Sequence, residues 1–401
     1  MLESLRVSPL YKLTRLAAFA PFVVALVVFV FMVFTTAQLI SFPDDGIDTL
    51  INDGKVVSLD PNGPSYGKLQ EGDVILSVDG VPYSTLNYID LRKSVGDSVS
   101  FEVYRDGAQV GVTFELTHPS RDLLFSRLVA IFVALIFWGI GLGVDAFKPT
   151  DKGSSIFSLW FYTCALILTT GAASTMRIGW ATVLFNSLFW LLGSLSVHFH
   201  MLFPQSVVRK ENRGLLVFLY LITLLGIAPI FLFGAARLES FAWYSSYLSA
   251  GKLFLAPNLI IVVGLLFYSY RNAETPGVRG RIRLVLFGGV LVAAPFVILT
   301  ILPGVLFNKP LIPYSSAFLL LALLPLTYGF AIFRFHLIEI DQQINRGATY
   351  LLVYSTLGGF YLILYAILTR WIPEDIQSTP LINTVLVLAL ASVFIPLHQR
   401  A

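Results

Sequence analysis

Cysteine is almost missing from this sequence: Cys164 is the only one in 401 residues, and it lies inside an apolar run. An intrachain disulfide and a thiolate metal site are both excluded. Histidine is scarce too, and none of His118, His198, His200, His336 and His398 precedes a glutamate. That excludes the H-E-x-x-H helix of a zinc metalloprotease, which needs two ligands one turn apart beside a base. His198 and His200 are two residues apart, so on a helix they point to different faces and cannot share one ion. Gly193-Ser194-Leu195-Ser196 and His198 supply residue types used by serine hydrolases, but no orienting acid or oxyanion donors accompany them. No phosphate-binding glycine loop or ATP-site signature occurs, so no cofactor is expected and no catalytic residue is assigned. Charged residues make up only 13% of the chain, about half the share in a soluble globule. The net charge of +3 gives no reason to expect a nucleic-acid partner.

What is present in excess is hydrophobicity, at 56% of residues. It falls in runs of roughly 20 residues, the length that spans ~30 Å of hydrocarbon. The candidate spans are 17–40, 123–146, 155–174, 180–203, 214–235, 247–269, 283–306, 314–335, 350–369 and 381–397, about ten in all. If they alternate, Arg6, Lys12, Arg15, Lys148, Lys152, Arg209, Lys210, Arg213, Arg271, Arg279, Arg281, Arg283, Arg334, Arg346 and Arg400 all lie on one side. The opposite gaps hold only Arg177, Arg237, Lys309 and Arg370, with Lys252 just inside a span. The positive-inside rule then puts both termini in the cytoplasm and residues 41–121 outside. The basic start and apolar stretch also resemble a cleaved signal peptide. The run from Ala17 past Phe34 is longer than a usual signal core and no clear A-x-A site follows, which favours a retained anchor. Pro229, Pro257, Pro295 and Pro325 fall inside spans five to eight and should kink them.

Residues 41–119 change character: charge, glycine and proline return, with short alternating apolar segments. Lys55–Leu59, Asp73–Val78, Ser98–Tyr104 and Gln109–Leu116 read as strands, Asp79-Gly80 and Asp106-Gly107 as hairpin turns, and Leu86–Val95 as a helix. This order, with Ser65-Tyr66-Gly67-Lys68-Leu69-Gln70-Glu71-Gly72-Asp73-Val74-Ile75-Leu76-Ser77-Val78-Asp79-Gly80 and Tyr104-Arg105-Asp106-Gly107, resembles a bacterial-type PDZ domain. The resemblance implies an extended peptide or free C-terminus added as a strand beside a helix, its carboxylate held by backbone amides. The groove residues would be Gly46, Ile47, Asp48, Thr49 and Leu50 on the carrying segment, opposite Leu86 and Ile89. Asp44 and Asp45 stand where a small apolar carboxylate loop is expected, and their charge would oppose an anionic terminus.

Two juxtamembrane stretches carry a further pattern. One is His198-Phe199-His200-Met201-Leu202-Phe203-Pro204. The other runs from Phe333 to Arg346 as an amphipathic connector: Arg334 and Arg346 suit anionic lipid headgroups, Ile338, Ile340 and Ile344 can face the membrane surface, and Glu339 or Asp341 can pair with a nearby arginine. With Asn345 and Tyr350, this stretch resembles the membrane half of bacterial sensor histidine kinases of the competence pheromone receptor type. Arg334, Glu339, Asp341, Asn345 and Arg346 would then form the signalling connector.

The expected fold class is a polytopic α-helical membrane protein of about ten helices with an inserted small α+β PDZ-like domain. Its expected parts are 1–40, a cytoplasmic N-terminus and anchor; 41–121, the extracytoplasmic PDZ-like domain; 122–397, a sensor bundle; and 398–401, the start of a truncated cytoplasmic region. The resemblance implies a two-component receptor that perceives a peptide or other extracellular signal and relays it to a kinase module or response regulator beyond this chain. It also implies a homodimer and contact with membrane lipid. The alternative is a membrane-anchored PDZ scaffold of the cell envelope that recruits a protein partner. A transporter is disfavoured, because few ionisable residues lie deep in the spans.

Overall fold

The computed structural model describes residues 9–49, 54–83, 93–147, 152–174, 176, 179–203, 213–233, 244–301, 303, 311–312 and 314–334. A long helix, α1 (Pro9–Ser41), leads into a small sheet domain. Strands β1 (Ile47–Thr49) and β2 (Val56–Leu59) pair antiparallel, with Ile47 opposite Leu59. A four-stranded antiparallel sheet follows in the order β4-β3-β5-β6, made of β3 (Val74–Val78), β4 (Val81–Pro82), β5 (Ser98–Arg105) and β6 (Ala108–Glu115).

The strands form where apolar residues alternate, because every second side chain of a strand points to one face. On β5, Val99, Phe101 and Val103 are buried; on β6, Val112 and Phe114 meet them, and the rings of Phe101 and Phe114 stack at 5.1 Å. Together with Val56, Leu69, Ile75, Val78, Tyr83 and Leu116 they make the domain's core. Each such side chain contributes roughly 1.5–3 kcal/mol on burial. The two tight turns are as expected: Asp79 (φ 50°) with Gly80 (φ 79°), and Asp106 (φ 49°) with Gly107 (φ 86°), have the paired positive φ of a hairpin whose twist matches its strands. The expected helix Leu86–Val95 does not reach its proposed end. Lys93 and Ser94 are non-helical and Val95 begins a turn closed by Ser94 N–H to Asp97 Oδ2 at 2.7 Å. An aspartate acceptor that near in sequence offers the backbone a turn in place of the last helical bond. Leu86 and Ile89 lie outside the described residues.

The remaining elements are helices α2 (Arg121–Phe147), α3 (Lys152–Ser174), α4 (Gly179–Leu202), α5 (Arg213–Phe233), α6 (Tyr244–Arg271), α7 (Pro276–Phe296), α8 (Tyr314–Leu321) and α9 (Leu323–Arg334). Among the described residues six helices are long and apolar enough to cross a membrane: 20–41, 123–146, 153–174, 180–202, 213–230 and 253–271, with 317–332 a shorter apolar one. The expected spans 350–369 and 381–397 lie outside the described residues. Helix α3 is central, packing on α2, α4 and α1, while α5 and α6 lie outside α4. The outer helices expose large apolar side chains, such as Val217 at 68% and Ile260 at 73%. A surface of that kind suits hydrocarbon and not water.

The prolines act locally. Pro295 lies two residues before a π-helical turn, Val297–Ile301, where the regular ladder is lost. Pro325 falls in the first turn of α9, just after a break at Ala322, where its missing N–H leaves no bond unmade. Pro229 and Pro257 lie within α5 and α6.

Candidate functional site

The segment leaving α1 and the segment entering α2 are zipped together. Asp44 N–H donates to the Thr117 carbonyl at 2.9 Å and Thr117 N–H returns a bond to Asp44 at 3.1 Å. Above this neck the chain turns at Gly46, whose φ of +69° is readily adopted only by glycine. The turn also presses on Gly63: a Cβ at position 46 would stand 2.8 Å from the Gly63 Cα. Asp60 N–H donates to the Gly46 carbonyl at 2.9 Å, which fixes where β1 begins.

Both aspartates of this loop fold back on its own amides. Gly46 N–H donates to Asp44 Oδ1 at 3.0 Å, and Ile47 N–H donates to Asp45 Oδ1 at 3.1 Å. Asp44 is buried and Asp45 half-buried. Burial pushes the Asp45 carboxyl up to about 6, with Asp44 adding to the rise while the Ile47 amide and Arg127 oppose it. Desolvation disfavours the ionised form of Asp45. Asp45 also lines a small apolar recess of about 20 Å³ with Phe42, Pro43, Lys93, Val99, Phe101 and Leu116. The Lys93 ammonium is engaged at its rim, 2.9 Å from Asp79 Oδ2 and 2.6 Å from the Ser98 carbonyl.

Beneath the recess lies Arg127 of α2. Its Nη1 donates to the carbonyls of Leu39, at 3.1 Å, and Phe42, at 2.8 Å, and its guanidinium sits 5.8 Å from the Phe42 ring centre. It thereby caps the end of α1, whose last carbonyls have no partner within the helix. The sheet has its own anchor at the far side: Arg105 Nε donates to Asp73 Oδ1 at 2.8 Å and Nη2 to Oδ2 at 2.6 Å, with a further bond to the Lys68 carbonyl at 3.1 Å. The Arg105 hydrogen bonds hold the Asp73 carboxyl below the usual carboxylate range.

Of the sequence-predicted groove residues, Gly46 and Ile47 stand at the recess loop, and Asp48 and Thr49 continue along β1. Leu50 lies outside the described residues. Arg334 ends α9, and Glu339, Asp341, Asn345 and Arg346 lie outside them as well.

A second polar cluster ties helices together. His200 Nε2 is 2.6 Å from the Tyr328 hydroxyl and its Nδ1 2.7 Å from the Ser196 carbonyl, while Trp160 Nε1 donates to Ser196 Oγ at 2.9 Å. His198 faces the other way and meets the Tyr220 hydroxyl at 3.0 Å. Ser194 Oγ lies 2.9 Å from the Leu219 carbonyl and 2.7 Å from Thr223 Oγ1, so it serves helix packing. Tyr162 donates to Asp145 Oδ2 at 2.7 Å, and Asp145 is fully buried. Arg127 and Asp145 escaped the sequence reading, which took 123–146 as a candidate span without singling them out. The signal was available, because an ionisable residue inside such a run needs a partner.

Residues 43–116 match the PDZ domain family. A pro-apoptotic serine protease of Meyerozyma guilliermondii is 40% identical over 112 residues, covering 23% of this chain and 11% of that protein. Its namesake in Candida glabrata is 42% identical over 53 residues, 13% of this chain and 5% of that protein. The chain therefore spans only a small part of the length of these relatives. No solved structure matches it. The motif order, the sheet and the family match agree: the module carried between α1 and α2 is a PDZ domain, a protein-interaction fold.

Proposed function

We propose that the chain is the signal-sensing membrane region of a two-component sensor histidine kinase, in which the PDZ domain engages an extracellular peptide and the helices relay the event to a cytoplasmic kinase module. The observation that carries this reading is the neck. A PDZ domain that merely recruits a partner works equally well on a slack tether. Here the loop at its recess is zipped to the chain entering α2 and bonded to Arg127. A ligand that shifts Phe42 or Asp45 therefore acts on the contact between α1 and α2. A signal crosses if the ligand favours one arrangement of that contact over another.

The relay would continue through α3 and α4 to Tyr328 on α9, which leads to the connector from Arg334 to Arg346. In this reading the full-length protein is a homodimer, the connector lies on anionic lipid, and a response regulator receives the output. Reporter fusions after Gly107 and after Arg400 test the topology it requires. An alkaline phosphatase should be active at the first site and silent at the second. The reverse pattern, or the same compartment at both, overturns the receptor.

A further inference from the structure

Four arginines gather where α6 turns into α7: Arg271 ends the first helix, and Arg279, Arg281 and Arg283 stand in the opening turns of the second. The connection is short and held at both ends. The Asn272 side chain donates to the Tyr268 carbonyl at 2.9 Å, and Val278 N–H donates to Thr275 Oγ1 at 3.3 Å. We propose, on the reading that α6 crosses a membrane, that this elbow binds the phosphate of an anionic lipid headgroup, with Arg271, Arg279 and Arg283 as its donors.

Arg279 and Arg283 are one turn apart on one face of α7, an arrangement in which like charges repel. Both are exposed, as is Arg271, and the ion pairs among the described residues lie instead in the PDZ domain. Glu274, the one acid of the connection, is exposed and bridges to none of the three. Asp151, Glu211, Glu339 and Asp341, which the alternation of spans puts on the same side, are outnumbered by the basic residues there. A phosphate shared between the two guanidiniums turns their repulsion into charge-assisted hydrogen bonds, for which the planar fork of arginine is suited. Arg281, two residues from each, faces the other side of α7, is half-buried and falls outside the site.

The apolar flank is what points to a lipid. Ile260, Val263 and Phe267 are exposed at helical spacing, and the stripe they form on α6 ends in Arg271. The Arg271 guanidinium lies 4.7 Å from the Phe267 ring centre, and Arg279 reaches back across the turn to within 5.9 Å of the Tyr270 ring centre. Aromatic rings of this kind mark the level where headgroups meet acyl chains. A lipid uses both parts, its phosphate on the arginines and its chains along the stripe. A soluble anion uses only the first.

The test places the full chain in nanodiscs of equal parts phosphatidylcholine and phosphatidylglycerol. Native mass spectrometry then reads which lipid leaves the disc on the protein. The wild type should retain phosphatidylglycerol in preference. R279Q/R283Q should lower the ratio at least about fivefold, the effect of one basic residue near an anionic surface. R209Q/K210Q removes the same charge from another loop on that side and should keep the ratio within about twofold of the wild type, because screening confines the effect. R279K/R283K keeps the charge and loses the fork, so it should fall between, and it carries the test if the glutamine variant does not fold. Inorganic phosphate added to the discs should leave the ratio unchanged. An equal fall in R209Q/K210Q and R279Q/R283Q would mean that only total charge is sensed, and it overturns the site. So does an unchanged ratio in R279Q/R283Q, or displacement of the lipid by inorganic phosphate. None of these outcomes touches the receptor reading, whereas a chain that fails to enter the discs overturns the membrane reading and the site with it.

Discussion

Arg127 holds Phe42: a side chain from the second long helix donates to the carbonyl one residue beyond the end of the first, at 2.8 Å. This bond places the base of the PDZ domain and the helix bundle under one constraint. It also accounts for an arginine buried to 8% exposure within an otherwise apolar helix.

Replacing Arg127 with alanine should leave the carbonyls of Leu39 and Phe42 without their partner. Hydrogen bonds to a charged group contribute about 1.5–3 kcal/mol each to stability, so a loss of at least about 2 kcal/mol is expected. Thermal unfolding in nanodiscs measures it. A protease probe of the neck at 117–121 should also cut faster in the variant, and unchanged cutting would remove Arg127 from its role as a clamp.

Asp73 and Arg105 predict an acid limit for the domain. Because Arg105 lowers the folded-state value of Asp73, the stabilisation is complete above the ordinary carboxylate pKa and is lost as pH falls through the lower folded value. R105A strands a carboxylate whose side chain is only 1% exposed. A loss of about 3 kcal/mol is expected at neutral pH, read from thermal melts, and it should shrink in acid as Asp73 protonates.

Asp45 has the opposite sign. Its folded-state value is raised from 3.8 to about 6, so the folded chain holds the proton more tightly. Its contribution to stability therefore falls as pH rises between those values. D45N should flatten that part of the stability profile. An identical slope in wild type and D45N would mean that Asp45 titrates normally.

Gly46 combines a positive φ with contact to Gly63. G46A should cost more than about 1 kcal/mol from backbone conformation alone, before the clash is counted. Circular dichroism melts of G46A and, as a control, of G67A, where φ is also positive (+74°) but a Cβ would meet nothing, separate the two effects.

Tyr328→Phe removes the hydroxyl that meets His200 Nε2 and leaves a buried ring nitrogen unsatisfied. About 1–3 kcal/mol of stability should be lost. A melting temperature equal to that of the wild type would show that the bond between α4 and α9 contributes nothing.

The sheet of the PDZ domain was legible because its signals are local. Alternation at Val99, Phe101 and Val103 and the paired turns at Asp79-Gly80 and Asp106-Gly107 need no knowledge of distant residues. The apolar helices were legible for the same reason, since length and hydropathy are properties of a single run. The expected helix fails at Lys93–Val95 because apolar spacing does not register a side-chain acceptor such as Asp97, which competes for the backbone. His198 and His200 could be placed on opposite helix faces from spacing alone, but not joined to Tyr220 and Tyr328.

What the sequence determined by itself is the longer strands of the PDZ domain, the apolar helices among the described residues and the kind of solvent each face requires. What only the tertiary structure decided is which polar groups satisfy one another: Arg127 with the end of α1, Asp44 and Asp45 with the loop amides, His200 with Tyr328. The physical reason is that burial makes an unpaired polar group expensive, yet the partner that relieves it is chosen by the packing of distant segments. A one-dimensional pattern records the need for a partner without identifying it.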